Sequence, residues 1–238
     1  MGSNEAGLAH APERPERQAE GQPLVCVHTP KAGGWSLGRL LREHFGPTLV
    51  TDYDENPANP VGPRLLDPAR HLAGCRPLPP GARCVHGHFH PGKYDLGGAF
   101  LVTILREPVD NLLSIYFFWK QMPRHDDPLH DPLHDYFLDH DLGIVETARL
   151  PLLRRLLSET YYGGFDMRRF DLVGRHDDRE ATLERLGRHV GATFDVSVWE
   201  NRTPPSPERQ AAAADQALRR RLEALLADDI AFYERHAR

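Results

Sequence analysis

The sequence predicts an α/β protein, a central parallel sheet flanked by helices in three layers. Short unbroken apolar runs suit strands buried on both faces, and leucine-striped segments at helical spacing lie between them. Histidine or arginine stands where each main apolar run ends. Strands alternating with helices imply right-handed crossovers, hence parallel pairing, and such sheets bind ligands beyond their carboxyl ends.

Residues 1–23, rich in Glu, Arg, Ala, Pro and Gly without periodicity, read as a disordered tail, and 24–238 as a single domain. The first strand is PLVCVH, ending at His28; Leu37, Leu40, Leu41 and Phe45 then mark a helix that Gly46-Pro47 stops. From Thr51 to Gly81 the density of Pro, Gly and Asn predicts loops, with at most a short helix near Pro68 to Leu72. ARCVHGHF supplies a second strand ending near Gly87, and GAFLVTILRE a third, the clearest of all. Pro108 suits a first helical turn, and Val109, Leu112, Leu113, Tyr116 and Phe117 stripe the helix after it.

The prolines between His125 and His140 predict a solvated loop. A helix is expected from about Ile144 to Ser158, a strand in RFDLVGR, and a helix from about Asp178 to Val190. A proline-rich loop, NRTPPSPER, precedes a final helical region from about Ala211 to His236.

Composition excludes several functions. A net charge of -5 is the wrong sign for a nucleic-acid binder. Three separated cysteines without a CxxC pair predict no disulfide framework and a reducing compartment. No apolar run approaches the roughly 20 residues of a membrane helix, and the first residues lack a signal peptide's apolar centre. The expected location is cytoplasmic.

The most informative stretch is HTPKAGGWSL, His28 to Leu37. A strand feeding a glycine-bearing turn into a helix aims backbone N–H groups and a positive dipole end at one spot, an anion cradle. Yet Trp35, not lysine, precedes Ser36, so the nucleotide-triphosphate signature is absent. Lys31 enters at the start of the turn instead. At the end of the third strand, TILREPVDNLLSIYFF sets Ser114 eight residues after Arg106. Arginine offers a planar fork of donors to a phosphate, and a hydroxyl adds another.

HGHFH spaces His86, His88 and His90 alternately. Held extended, the three could face zinc together, but Gly87 and Pro91 disfavour a regular strand and no carboxylate or Cys is close by; no metal is expected.

These motifs resemble those of the sulfotransferases that use 3′-phosphoadenosine 5′-phosphosulfate (PAPS), built on a P-loop-type fold. HTPKAGGWSL resembles their 5′-phosphosulfate loop, and Arg106, Pro108, Ser114 and Tyr116 resemble their 3′-phosphate motif. His86-Gly87-His88 is similar to the His-Gly-His of uronosyl 2-O-sulfotransferases. The resemblance implies a bacterial-type enzyme transferring a sulfuryl group to a hydroxyl, with His88 as general base and His86 assisting. Donor contacts would come from Lys31, Ala32, Gly33, Gly34, Trp35, Ser36, Arg106 and Ser114, with Arg202 and Thr203 closing over the nucleotide. The acceptor would be a small, lipid-linked or carbohydrate hydroxyl compound; Arg149, Arg154, Arg155, Arg168 and Arg169 could line a groove for a sulfated polysaccharide. A P-loop kinase of small molecules, or a non-catalytic nucleotide-binding protein, is the alternative.

Overall fold

The computed structural model describes residues 21–127, 130–198, 204 and 206–237. Five strands, β1 (Leu24–His28), β2 (Leu49–Asp52), β3 (Cys84–Gly87), β4 (Phe100–Leu105) and β5 (Leu172–Arg175), make one sheet. Their order is β2-β3-β1-β4-β5, and every neighbouring pair is parallel. This is the expected α/β architecture. No described helix is long and apolar enough to cross a membrane.

Alternation along the strands builds two cores. Leu24, Cys26, Val102, Ile104 and Leu172 face α1 (Gly34–Phe45) and α8 (Arg179–Val190), meeting Leu37, Leu40, Leu41, Leu183 and Leu186. Val25, Val27, Leu101 and Leu105 face the opposite way, against α4 (Pro108–Trp119) and the later helices. Period-2 alternation in strands buried on both faces thus accounts for the three layers.

Four departures from the sequence reading have local causes. Strand β2 lies where loops begin in the sequence; it is an edge strand, secured by Asp52. That carboxylate accepts from Lys93 Nζ at 2.9 and 2.7 Å and from Tyr94 Oη at 2.8 Å. Gly87 permits the close approach, since a Cβ there would overlap the Asp52 backbone. The predicted loop of 125–140 contains α5 (Pro132–Asp139), with Pro132 at the start, where its missing N–H costs nothing, and Asp131 capping His134 N at 3.2 Å.

The single helix expected over 144–158 is divided into α6 (Ile144–Arg149), α7 (Pro151–Arg154) and a π-helical turn, Leu156–Tyr161. Pro151 cannot donate the bond that would continue α6. The C-terminal helical region is likewise three helices: α9 (Pro207–Ala214), α10 (Gln216–Leu225) and α11 (Ala227–His236). Asp215 breaks the first pair by capping α10, accepting from Ala217 N at 2.8 Å and Leu218 N at 3.0 Å. Helix α9 occupies part of the predicted proline-rich loop. Short helices α2 (Pro63–Leu66) and α3 (Pro68–Ala73) fill the 51–81 segment, the second where the sequence predicts it.

Candidate functional site

Four of the five strands deliver a polar group to the carboxyl edge of the sheet. His28 ends β1, His88 follows β3, Arg106 follows β4, and His176 follows β5. Beyond this edge lies a cavity of about 850 Å³. Of the sequence-predicted residues, Lys31, Gly33, Gly34, Trp35, Ser36, Arg106, Ser114 and His88 line it. Ala32 and His86 do not, and Arg202 and Thr203 lie outside the described residues.

The turn is held in an unusual backbone shape. Lys31 has φ 58° and Gly33 φ 85°, both left-handed, and the glycine caps α1. A non-glycine residue in that region is sparsely populated and persists only where its surroundings impose it. Here Arg106 Nη1 donates to the Lys31 carbonyl at 2.9 Å, and Thr29 Oγ1 donates to Ile104 O at 3.2 Å. The two sequence motifs are therefore bonded to each other. The amides that open α1 point out of its N-terminus toward the cavity that Gly34, Trp35 and Ser36 line, the kind of helix start that holds an anion.

Three cations share this end of the cavity. Burial, with the neighbouring Arg106 and Arg209, lowers Lys31 to about 8. The Lys31 ammonium rests 4.0 Å from the Phe118 ring centroid, a cation–π contact. Arg209 comes from α9, which Glu208 ties to α4 through Lys120 at 2.9 Å. Mutual repulsion among three half-buried cations is relieved by an anion, so a phosphate- or sulfate-bearing group fits this end of the cavity.

The histidines form a second cluster. His28 stacks between His86 (centroids 5.3 Å) and His88 (4.3 Å). The registers Cys26↔His86 and Val27↔Gly87 bring this about, carrying His28 alongside His88 past the strand ends. Gly34 makes room for the stack, because a Cβ there would overlap the His28 imidazole. His86 Nε2 lies 3.1 Å from Gly34 O; a carbonyl only accepts, so His86 is the Nε2–H tautomer and braces the turn from behind. His90 is spoken for on both nitrogens: Nδ1 accepts from Gly92 N at 3.0 Å and Nε2 donates to Gly163 O at 3.1 Å. The alternate histidines thus do not converge on one point.

His88 faces the cavity with a defined neighbour. Its Nδ1 lies 2.9 Å from Tyr161 Oη, which in turn lies 3.0 Å from Asn56 Oδ1. Tyr161 ends the π-helical turn, and that turn is fixed at both ends. Asp229 of α11 accepts from Leu157 N (2.9 Å), Ser158 N (2.8 Å) and Ser158 Oγ (2.6 Å). Arg64 donates to Thr160 O and, at 2.9 Å, to Glu159 O. Wide helical turns of this kind recur at functional sites.

Sequence reasoning missed His28, Asn56, Tyr161, His176 and Arg209, all grouped here. Only His28 carried a usable signal: it ends a strand, and a neighbouring parallel β3 would set it beside His88. Tyr161 and Asn56 are 105 positions apart and meet only through the fold.

Burial, aided by the charge of His86 and opposed by the His28 backbone carbonyl, pushes His88 down to about 3. Burial likewise takes His86 to about 4 and His176 to about 4. These imidazoles are neutral when folded and protonate near 6.5 when unfolded, so the unfolded chain binds more protons below pH 6.5. Stability is complete above that pH and falls as acid is added, by about 1.4 kcal/mol per pH unit for each fully buried imidazole. Urea midpoints should therefore drop steeply from pH 7 to pH 5. Unchanged midpoints would contradict this account of the buried histidines.

No protein-family model matches the chain, and no curated protein matches it. Among solved structures, a sulfotransferase from Alicyclobacillus acidocaldarius is similar at 17% identity with a TM-score of 0.36, over 90% of this chain and 99% of that one.

Proposed function

We propose that the protein is a sulfotransferase that moves the sulfuryl group of PAPS to the hydroxyl of a small, lipid-linked or carbohydrate acceptor. One observation carries this reading: a single cavity has the glycine turn, Lys31, Arg106 and Ser114 on its wall together with a neutral imidazole, His88. The donor supplies an activated sulfur and a nucleotide leaving group. Lys31 and the amides opening α1 hold its phosphosulfate, while Arg106 and Ser114 hold its 3′-phosphate.

His88 takes the acceptor proton. Tyr161 donates to Asn56 Oδ1 and its oxygen holds His88 at Nδ1; the neutral imidazole has one unprotonated nitrogen to take that proton. Lys31 stabilises the charge that grows on the oxygen bridging sulfur and phosphorus, a role worth a few kcal/mol when the donor group is preorganised. Lys31, Arg106 and Arg209 offset most of the donor's negative charge and the amides opening α1 add to them, so the reading requires no metal. His86 acts here as a brace of the turn, without touching the acceptor.

Donor choice is tested by ligand-induced stabilisation of the full chain. Saturating adenosine 3′,5′-bisphosphate should raise Tm by several degrees, as a ligand held only by the folded state must. ATP with Mg²⁺ should do little, because Trp35 takes the place of the triphosphate-binding lysine. The reverse ranking would replace this reading with that of a kinase.

A further inference from the structure

The cavity has two chemically distinct ends. Lys31, Arg106 and Arg209 bear electrostatically on one another and mark the cationic one. Asp131 also lines the cavity, and its charge bears on Tyr161, the partner of His88. Asn59 Nδ2 donates to His130 O at 3.5 Å, which ties the residue before Asp131 to the segment whose Asn56 accepts from Tyr161; Asp131 is therefore placed at the His88 end. The cavity wall also carries the apolar side chains of Trp119, Met122, Leu153 and Ala58.

Asp131 has a structural duty that uses one oxygen, Oδ1, which caps His134 N at 3.2 Å. Oδ2 makes no hydrogen bond among the described residues. His134 Nε2 lies 3.1 Å from the Trp119 carbonyl, which keeps α5, and so Asp131, against that wall. Burial raises the carboxyl above its ordinary range, opposed by the His134 amide and by the charges His134 and His130 carry when protonated; among the described residues, the lysines and arginines that line the cavity are Lys31, Arg106 and Arg209. A half-desolvated carboxylate with a free oxygen is best satisfied by a cationic donor.

The five arginines considered for a polyanion groove are elsewhere. None lines the cavity; Arg155 pairs with Asp228 and Glu159, Arg168 pairs with Asp166, and Arg169 stacks on Phe165. An anionic acceptor would meet Asp131 with only the donor's cations to offset it.

We propose that the acceptor is an apolar hydroxyl compound bearing a protonated amine, its ammonium seated between Asp131 and Trp119 and its hydroxyl presented to His88. This rests on the sulfotransferase reading. In the step, the acceptor O–H bond breaks and its proton passes to His88. The acceptor oxygen bonds to sulfur as the bond from sulfur to the phosphate oxygen breaks, giving a sulfate ester and the adenosine bisphosphate.

Tyramine, 4-ethylphenol and 3-(4-hydroxyphenyl)propionate share a phenol and differ in charge at the far end. Titrated calorimetrically into the full chain saturated with adenosine 3′,5′-bisphosphate, tyramine should bind about tenfold more tightly than 4-ethylphenol, the factor that 1.4 kcal/mol represents. The propionate should bind more weakly than either. Asp131→Asn removes the charge yet still caps α5, asparagine being as good a cap as aspartate. It should bring tyramine and 4-ethylphenol to one affinity; Asp131→Ser, another competent cap, serves if the asparagine variant misfolds. The proposal is overturned if the propionate equals tyramine, if none of the three binds, or if the order survives in a folded variant. Should the bisphosphate itself fail to bind, the donor reading falls alone, and the three probes titrated into the free chain still decide the acceptor's charge.

Discussion

Lys31→Ala should lower kcat by about 10²- to 10³-fold while weakening adenosine 3′,5′-bisphosphate binding less than tenfold. The asymmetry follows from where the ammonium is needed. The bisphosphate product lacks the sulfuryl group, so it presents no oxygen on which charge is still developing, and Arg106, Arg209 and the amides of α1 remain to hold it. An interaction stronger in the transition state than in the bound ground state is lost from kcat, not from affinity. The lowered pKa sharpens the test. With its value near 8, Lys31 is charged below that pH and neutral above it, so wild-type kcat/KM should decline as pH rises through 8. Lys31→Arg should move that decline to higher pH and recover part of the rate, since a guanidinium stays charged. Equal losses in kcat and in bisphosphate affinity would show Lys31 to be a simple binding residue.

The sequence made this half of the site legible because its chemistry is local. A turn between a strand and a helix brings Lys31, Gly34 and Ser36 together within six residues, and Arg106 needs only its own strand to reach the same edge. Four of the five strands were likewise readable from apolar runs. Strand β2 was not, because LVTD is held by pairing with β3 and by an ion pair to Lys93, 41 positions away. Helix α5 was hidden because proline reads as a breaker, and only its position at the first turn makes it harmless. The apolar stripe over 144–158 survived the break at Pro151, since Ala148, Leu153, Leu156 and Leu157 all still reach one core. The surroundings of His88 were the least legible part. They depend on strand order, on a π-helical turn and on a cap from Asp229 near the end of the chain.

His88→Ala should cut kcat by about 10²- to 10⁴-fold with little change in KM, the range a positioned general base supplies. Its pH dependence distinguishes it from an ordinary histidine. In the free protein His88 stays unprotonated down to about 3, so kcat/KM should show no inflection near 6.5 that the alanine variant abolishes. Binding the donor changes this. The phosphosulfate brings negative charge into the cavity that His88 shares, and anions favour the imidazolium. The acid limb of kcat, which reports the complex, should therefore lie at higher pH than that of kcat/KM, which reports the free protein. A depressed pKa makes a weak base, and on the sulfotransferase reading this upward shift would bring His88 toward the operating pH. Tyr161→Phe should cost less than His88→Ala, because it removes the hydroxyl beside Nδ1 and leaves the imidazole in place. A greater loss from Tyr161→Phe would assign proton removal to the phenol. Full bisphosphate binding with His88→Ala silent and no transfer to any acceptor would mark a protein that holds the nucleotide without performing chemistry.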